Sequence, residues 1–260
     1  MTSEVIDFNL EEGVAIITLN RPDTLNSFNV ELATELQRTL DLCMDNTEVR
    51  CVLLTGAGRG FCAGQDLGEA IAPDFGNIED HVETKFNPLV RKIRAIEKPV
   101  VAAVNGVAAG AGANLAFCCD IVVAAESTKF IQSFINIGLI PDTGGTYFLP
   151  RLVGLHRATS MMMLGDKITA QEAKQLGLVY KVFPDERLME EAINLAKRMA
   201  KMPTKGIGLI KKSLNYSLRN NLNEQLAVEK DLQAQAGRTS DNAEGITAFL
   251  EKRKPVFKGE

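Results

Sequence analysis

Residues 99–113 read PVVAAVNGVAAGAGA, and this stretch decides the fold. After the breaker Pro99 comes VVAAV, a short apolar run with no polar alternation, which predicts a strand buried on both faces of a parallel sheet. The small residues of 105–113 then open a helix that continues through Phe117, and residues 120–124 supply another buried strand. Upstream, CVLLT at 51–55 is a third such run and ends in the glycine-rich loop 56–60. Parallel strands require crossovers, which helices supply, so strand, loop, helix and strand in succession predict an α/β fold.

Outward from this centre the chain divides further. Two β-rich runs, VIDFNL and VAIITL within 5–19, flank the turn cluster Glu11-Glu12-Gly13 and predict a hairpin. Asn29 is placed to cap a helix over 30–44, with Val30, Leu32, Ala33, Leu36, Leu40 and Met44 on its apolar face. A polar stretch with Pro and Gly, 68–77, reads as a mobile loop leading into a helix over 78–96. From about Glu186 only helical spacing remains, interrupted at Pro203 and Gly237, which predicts an all-helical appendage.

Composition excludes several function classes. The 260 residues carry 29 Lys plus Arg against 33 Asp plus Glu, a net charge of −4, and 45% are hydrophobic, enough for a large core without disulfides. The acidic balance argues against nucleic acid as a partner, and no apolar run approaches the roughly 20 residues of a membrane span. The first residues lack a basic and apolar leader pattern, so the expected location is cytoplasmic. Cys43, Cys51, Cys62, Cys118 and Cys119 form no Cys-x-x-Cys pair, which fits a reduced compartment. With His81 and His156 the only histidines, the expectation is no metal site.

Three segments could carry chemistry. A dinucleotide fingerprint fails on spacing, because Phe61 and Leu115 stand where its third glycine would fall. The segments CAGQDL at 62–67 and GAGA at 110–113 instead remove side-chain bulk, which either exposes backbone N–H groups to an anion or merely permits close packing. In GLIPDTGGT at 138–146, Asp142 lies in a tight turn before a helix, where it is either a catalytic carboxylate or a helix cap. Asp66 reads as a loop-fixing residue, and Met161-Met162-Met163 as gap-filling core.

Taken together, LTGAGRGFCAGQDL at 54–67, KPV…NGVAAGAG at 98–112 and GLIPDTGGT at 138–146 resemble the crotonase, or enoyl-CoA hydratase/isomerase, superfamily over nearly the whole chain. The resemblance implies an α/β crotonase-like spiral of ββα units over 1–200 holding an acyl-CoA site, with a C-terminal all-helical appendage over 201–260 for association. It implies an acyl-CoA thioester as partner, no separate cofactor because CoA is part of the substrate, and assembly as a homotrimer or homohexamer. The thioester oxygen would rest against the backbone N–H groups of Gln65 and Ala111, a device in which one donor is worth roughly 3 kcal/mol. Leu25, Ala63, Gly64, Asp66, Leu67, Gly110, Phe134 and Lys258 are the substrate-binding residues it implies, with His81 near the acyl group and Phe257-Lys258 either meeting the nucleotide end of CoA or lying in a frayed tail.

Two departures bear on the reaction. The positions of the water-activating glutamate pair of typical hydratases correspond to Asn114 and Phe134, which can neither shuttle a proton nor hold a water. Asp142 stands where some isomerase and dehalogenase members carry aspartate, so one carboxylate would serve as the general acid and base. The resemblance thus points to an isomerase, moving a double bond from the 3,4 to the 2,3 position or rearranging a ring-1,2-epoxyphenylacetyl thioester. The alternatives are an enoyl-CoA hydratase, an aryl-CoA dehalogenase-like hydrolase with Asp142 as nucleophile, and a non-catalytic binding protein on this scaffold.

Overall fold

The computed structural model describes residues 4–73 and 75–260. Met1, Thr2 and Ser3, where the reading for a leader begins, and Asp74 of the 68–77 loop lie outside the described residues. The hairpin is present: β1 (Ile6–Glu11) and β2 (Val14–Leu19) pair antiparallel around Glu12 and Gly13, both at positive φ (48° and 78°), the turn geometry that suits the twist of a two-residue hairpin. Helix α1 (Val30–Asp45) begins at Asn29, whose side chain accepts from the Leu32 N–H at 2.9 Å. Its buried face is Leu32, Ala33, Leu36, Leu40 and Cys43; Val30 is exposed, because it starts the helix at the rim of the core.

Three strands of the large sheet follow, β3 (Cys51–Gly56), β5 (Val100–Val104) and β7 (Ile121–Ala125), and each is succeeded by a short strand of a second sheet: β4 (Gly60–Cys62), β6 (Val107–Ala109) and β8 (Lys129–Ile131). With β9 (Lys167–Thr169) and β10 (Lys181–Phe183) added, the large sheet runs β1-β2-β3-β5-β7-β10 and the small one β4-β6-β8-β9, with all pairs parallel except β1 with β2 and β8 with β9. The same step from β3 to β4, β5 to β6 and β7 to β8 makes the chain a spiral. Strand β6 lies inside the 105–113 run that reads as the opening of a helix; helix α5 (Ala111–Phe117) starts only after it. Small residues suit both states, and pairing with β4 and β8 decides the outcome.

The expected single helix over 78–96 is three pieces: α3 (Ile78–His81), a π-helical turn Val82–Phe86, and α4 (Asn87–Ala95). It is preceded by the short α2 (Leu67–Ala70). Beyond β8 come a 3-10 turn (Ser133–Ile137), α6 (Gly145–Val153), α7 (Leu155–Leu164), β9 (Lys167–Thr169), α8 (Ala170–Gln175) and β10 (Lys181–Phe183). Of the methionine triplet in α7, Met161 is buried and Met163 is exposed; His156 is exposed as well.

The final quarter is α9 (Leu188–Ala200), α10 (Thr204–Ser217), α11 (Leu222–Ala236) and α12 (Ser240–Leu250). Helix α9 is not an appendage, since Leu188, Ala192, Ala196 and Ala200 form one buried cluster with Val14, Leu53, Val101 and Val123 of the large sheet. Helix α10 is tied to the core by the buried Lys211, whose Nζ meets Asp120 Oδ2 at 2.7 Å. The tail folds back too: the Lys258 and Gly259 N–H groups donate to buried Asp241, and Arg50 donates to the carbonyl oxygens of Phe257 and Met202 and to Thr204 Oγ1. No helix among the described residues is long and apolar enough to cross a membrane.

Candidate active site

The glycine segments meet where the two sheets come together. An isolated bridge pairs Phe28 with Gln65: the Phe28 N–H donates to Gly64 O at 2.7 Å and the Asp66 N–H to Phe28 O at 2.8 Å. Bridge pairing alternates direction along a strand, so the intervening Gln65 N–H points the other way and has no acceptor among the described residues. The Ala111 N–H is the first of α5 and likewise has none. A Cβ on Gly64 would stand 2.9 Å from Ala109 O and 3.4 Å from Ala111 N, which puts the two segments in contact and leaves the space between them open only because residue 64 is glycine at φ +94°. The packing reading holds for a neighbour: a Cβ on Gly112 would lie 2.1 Å from Cys62 O.

Gln65 and Ala111 both line a cavity of about 460 Å³, within the usual size of small-molecule sites. Its walls are chiefly apolar, among them Leu67, Phe75, Val82, Phe86, Phe134 and Leu139. Asp142 is the one carboxylate among the described residues lining it. The structure therefore gathers Ala63, Gly64, Gln65, Leu67, Gly110, Ala111, Phe134 and Asp142, together with His81, which the sequence reading expects near the acyl group.

Asp142 does not cap α6. That helix starts at Gly144 with no side-chain cap, and the carboxylate instead accepts from Thr143 Oγ1 at 2.7 Å through Oδ1. Burial pushes the Asp142 carboxyl above the ordinary carboxylate range, while the Thr143 hydrogen bond pulls the other way. The backbone of the same residue is fixed twice: its carbonyl accepts from Gly145 N–H at 2.8 Å and from Asn114 Nδ2 at 2.9 Å. Asn114 is 1% exposed, and its Oδ1 accepts from Gln132 Nε2 at 2.8 Å. So Asn114 does not line the cavity; its amide holds the turn that presents Asp142. This tie has no signature in the sequence, because α5 and the 138–146 turn meet only through the tertiary fold.

Three of the expected residues lie elsewhere. Leu25 sits at φ 52° with its carbonyl accepting from the Ala63 N–H, so it supports the loop from behind. Asp66 caps α2 through the Gly68 N–H and pairs with Arg21 at 3.0 Å, the loop-fixing role read from sequence. Lys258 is in the folded-back tail, where Phe257 lines a separate groove with Gly245 and Phe249. The five cysteines are buried and free, and burial pushes the Cys62 thiol up to about 12, which leaves it inert at neutral pH.

Two backbone donors without acceptors among the described residues and one desolvated carboxylate, lining one apolar cavity, can hold a developing oxyanion and move a proton beside it. The chain is similar to proteins of known kind. Residues 9–260 match the enoyl-CoA hydratase/isomerase family. The chain is 48% identical to 1,2-epoxyphenylacetyl-CoA isomerase of Escherichia coli K12, covering 99% of both chains, and 39% identical to 2,3-dehydroadipyl-CoA hydratase of the same organism, covering 96% of both. The crystal structure of an enoyl-CoA hydratase from Bacillus anthracis superposes with a TM-score of 0.91 at 36% identity, covering 98% of this chain and 100% of that one. With the family match over residues 9–260, a 48% identical relative over nearly its full length and a solved structure that superposes on its fold, the chain belongs to the enoyl-CoA hydratase/isomerase family.

Proposed function

We propose that the protein is an acyl-CoA isomerase in which Asp142 alone serves as general acid and base. The observation that carries this reading is the pairing of Asp142 as the one carboxylate among the described lining residues with an Asn114 whose Nδ2 donates to Asp142 O and whose Oδ1 accepts from Gln132. A second carboxylate to activate water is wanting among the described lining residues, since Phe134 takes the other position.

With a 3-enoyl thioester, the Asp142 carboxylate takes a proton from C2, and the electron pair moves onto the thioester oxygen as the dienolate forms. The Gln65 and Ala111 N–H groups hold that oxygen; each contributes about 3 kcal/mol to the transition state by analogy with other oxyanion donors. The carboxylic acid then returns the proton to C4, and the double bond ends between C2 and C3 with no net change in atoms or electrons. Apolar walls of Phe134 and Leu139 keep the carboxylate poorly solvated and hence a stronger base than a surface aspartate. Similarity to an enzyme named for an epoxyphenylacetyl thioester favours an acyl group that carries a ring, and the rearrangement of such a ring epoxide is the second reaction we assign to the same cavity. We assign residues 201–260 to association of three or six copies, supported by exposed apolar side chains such as Leu222, Phe249 and Leu250.

The test is turnover of a 3-enoyl-CoA beside hydration of crotonyl-CoA, each also with Asp142→Asn. The reading expects isomerisation to exceed hydration by orders of magnitude and to vanish in the variant. Hydration that persists in Asp142→Asn would remove Asp142 from its role.

A further inference from the structure

One titratable group in the cavity has no part in that mechanism. His81 is 7% exposed and lines the cavity, and its ring makes no hydrogen bond to any described residue. It is held instead by rings on both sides: Phe75 stacks on it at 4.3 Å with planes 30° apart, and Phe86 lies at 5.9 Å, tilted by 60°. Phe86 in turn meets Phe28 edge-on at 5.7 Å, and Phe28 is the residue bridged to Gln65. A row of four rings therefore leads from behind the Gln65 donor along the cavity, and His81 is its one polar member.

The π-helical turn is what puts His81 there. In an α-helix, residues five apart point about 140° away from one another, at 100° per residue. The turn Val82–Phe86 closes by an i to i+5 bond, Asn87 N–H to Val82 O, which brings positions five apart back toward one face. His81 and Phe86 both reach the cavity as a result. A π turn interrupting a helix carries a cost in hydrogen-bond geometry, and here its product is an imidazole aimed into an apolar pocket.

We propose that His81 is a specificity-determining residue that hydrogen-bonds an oxygen borne by the acyl group, so that the preferred substrate is a flat ring thioester carrying an oxygen rather than a plain alkenyl chain. The proposal rests on the acyl-thioester site put forward above. The flanking rings suit a planar group, and an imidazole on the cavity wall with no hydrogen-bond partner among the described residues favours a ligand that bonds it over one that displaces water from it without replacing the bond. Burial holds the ring below its usual range, against the nearby Glu69, so at neutral pH it is the uncharged imidazole, able to donate from one nitrogen and accept at the other.

The test is calorimetric binding of 2-hydroxyphenylacetyl-CoA and phenylacetyl-CoA to the whole protein, with His81→Phe and His81→Asn beside the wild type. The hydroxylated thioester is expected to bind wild type about tenfold more tightly, the worth of one good hydrogen bond. That ratio collapses toward one in His81→Phe and is partly kept in His81→Asn. Equal binding of the two thioesters to wild type, or a ratio that survives in His81→Phe, overturns the proposal. Asp142→Asn separates the two ideas: it keeps the ratio if His81 sets it, whatever becomes of turnover, while failure of both thioesters to bind overturns the acyl-CoA site and this inference with it.

Discussion

Replacing Gly64 by alanine tests the proposed oxyanion site with a single methyl group. At φ +94° residue 64 lies where an L side chain is strained, at a cost of about 1–3 kcal/mol. The added Cβ would stand 2.9 Å from Ala109 O and 3.4 Å from Ala111 N, both backbone atoms that cannot swing aside as a side chain does. The segments must spread by several tenths of an ångström, and the Gln65 and Ala111 donors then no longer converge on one oxygen. Loss of one donor corresponds to about a hundredfold in kcat or slightly more. For a chain of this size, 1–3 kcal/mol lowers Tm by roughly 2–12 °C. The assay is 3-enoyl-CoA turnover followed by thioester absorbance, with Tm from thermal scanning and KM measured in parallel. A folded Gly64→Ala protein with kcat within twofold of wild type would refute the placement of the oxyanion between these segments.

Other consequences are as specific. Asn114→Leu orphans the buried Gln132 amide and removes one of two donors on Asp142 O, so it should cost about 2–4 kcal/mol in chemical denaturation and lower kcat more than KM rises. Because burial raises the Asp142 pKa, its protonated form favours the folded state; that contribution is present below the ordinary carboxylate value and is lost as pH rises through the raised one. Asp142→Asn should therefore be more stable than wild type at neutral pH and lose that advantage in acid, and kcat of the wild type should fall as pH drops through the same raised value. Arg50→Met removes the donors to Phe257 O, Met202 O and Thr204 Oγ1 and should cost about 2 kcal/mol and open the tail to limited proteolysis.

The parts of the fold visible in the sequence are those with a strong local pattern. The three apolar strands 51–55, 100–104 and 120–124 follow from runs that are continuously apolar, and the hairpin and α1 from a turn cluster and a helical period. The second sheet escapes because β4, β6 and β8 are three residues each, too short for any alternation, and β6 is made of the same small residues that open α5. The π turn is invisible for a related reason: its residues VETKF suit an ordinary helix, and only the packing of His81 and Phe86 on one cavity selects the wider turn. At the site, glycines and a turn aspartate are legible because they violate the habits of core sequence. The tie from Asn114 to the Asp142 carbonyl spans 28 positions and depends on two side-chain hydrogen bonds that composition does not encode.

The central claim is that one carboxylate carries the proton from C2 to C4, and isotope tracing tests it most directly. A 3-enoyl-CoA bearing deuterium at C2 is converted in ordinary water, and the label at C4 of the product is read by mass spectrometry. The account predicts a measurable fraction of deuterium at C4 with wild type, together with neither isomerisation nor washout of the C2 label in Asp142→Asn. Washout of the C2 label that continues at the wild-type rate in Asp142→Asn would contradict it.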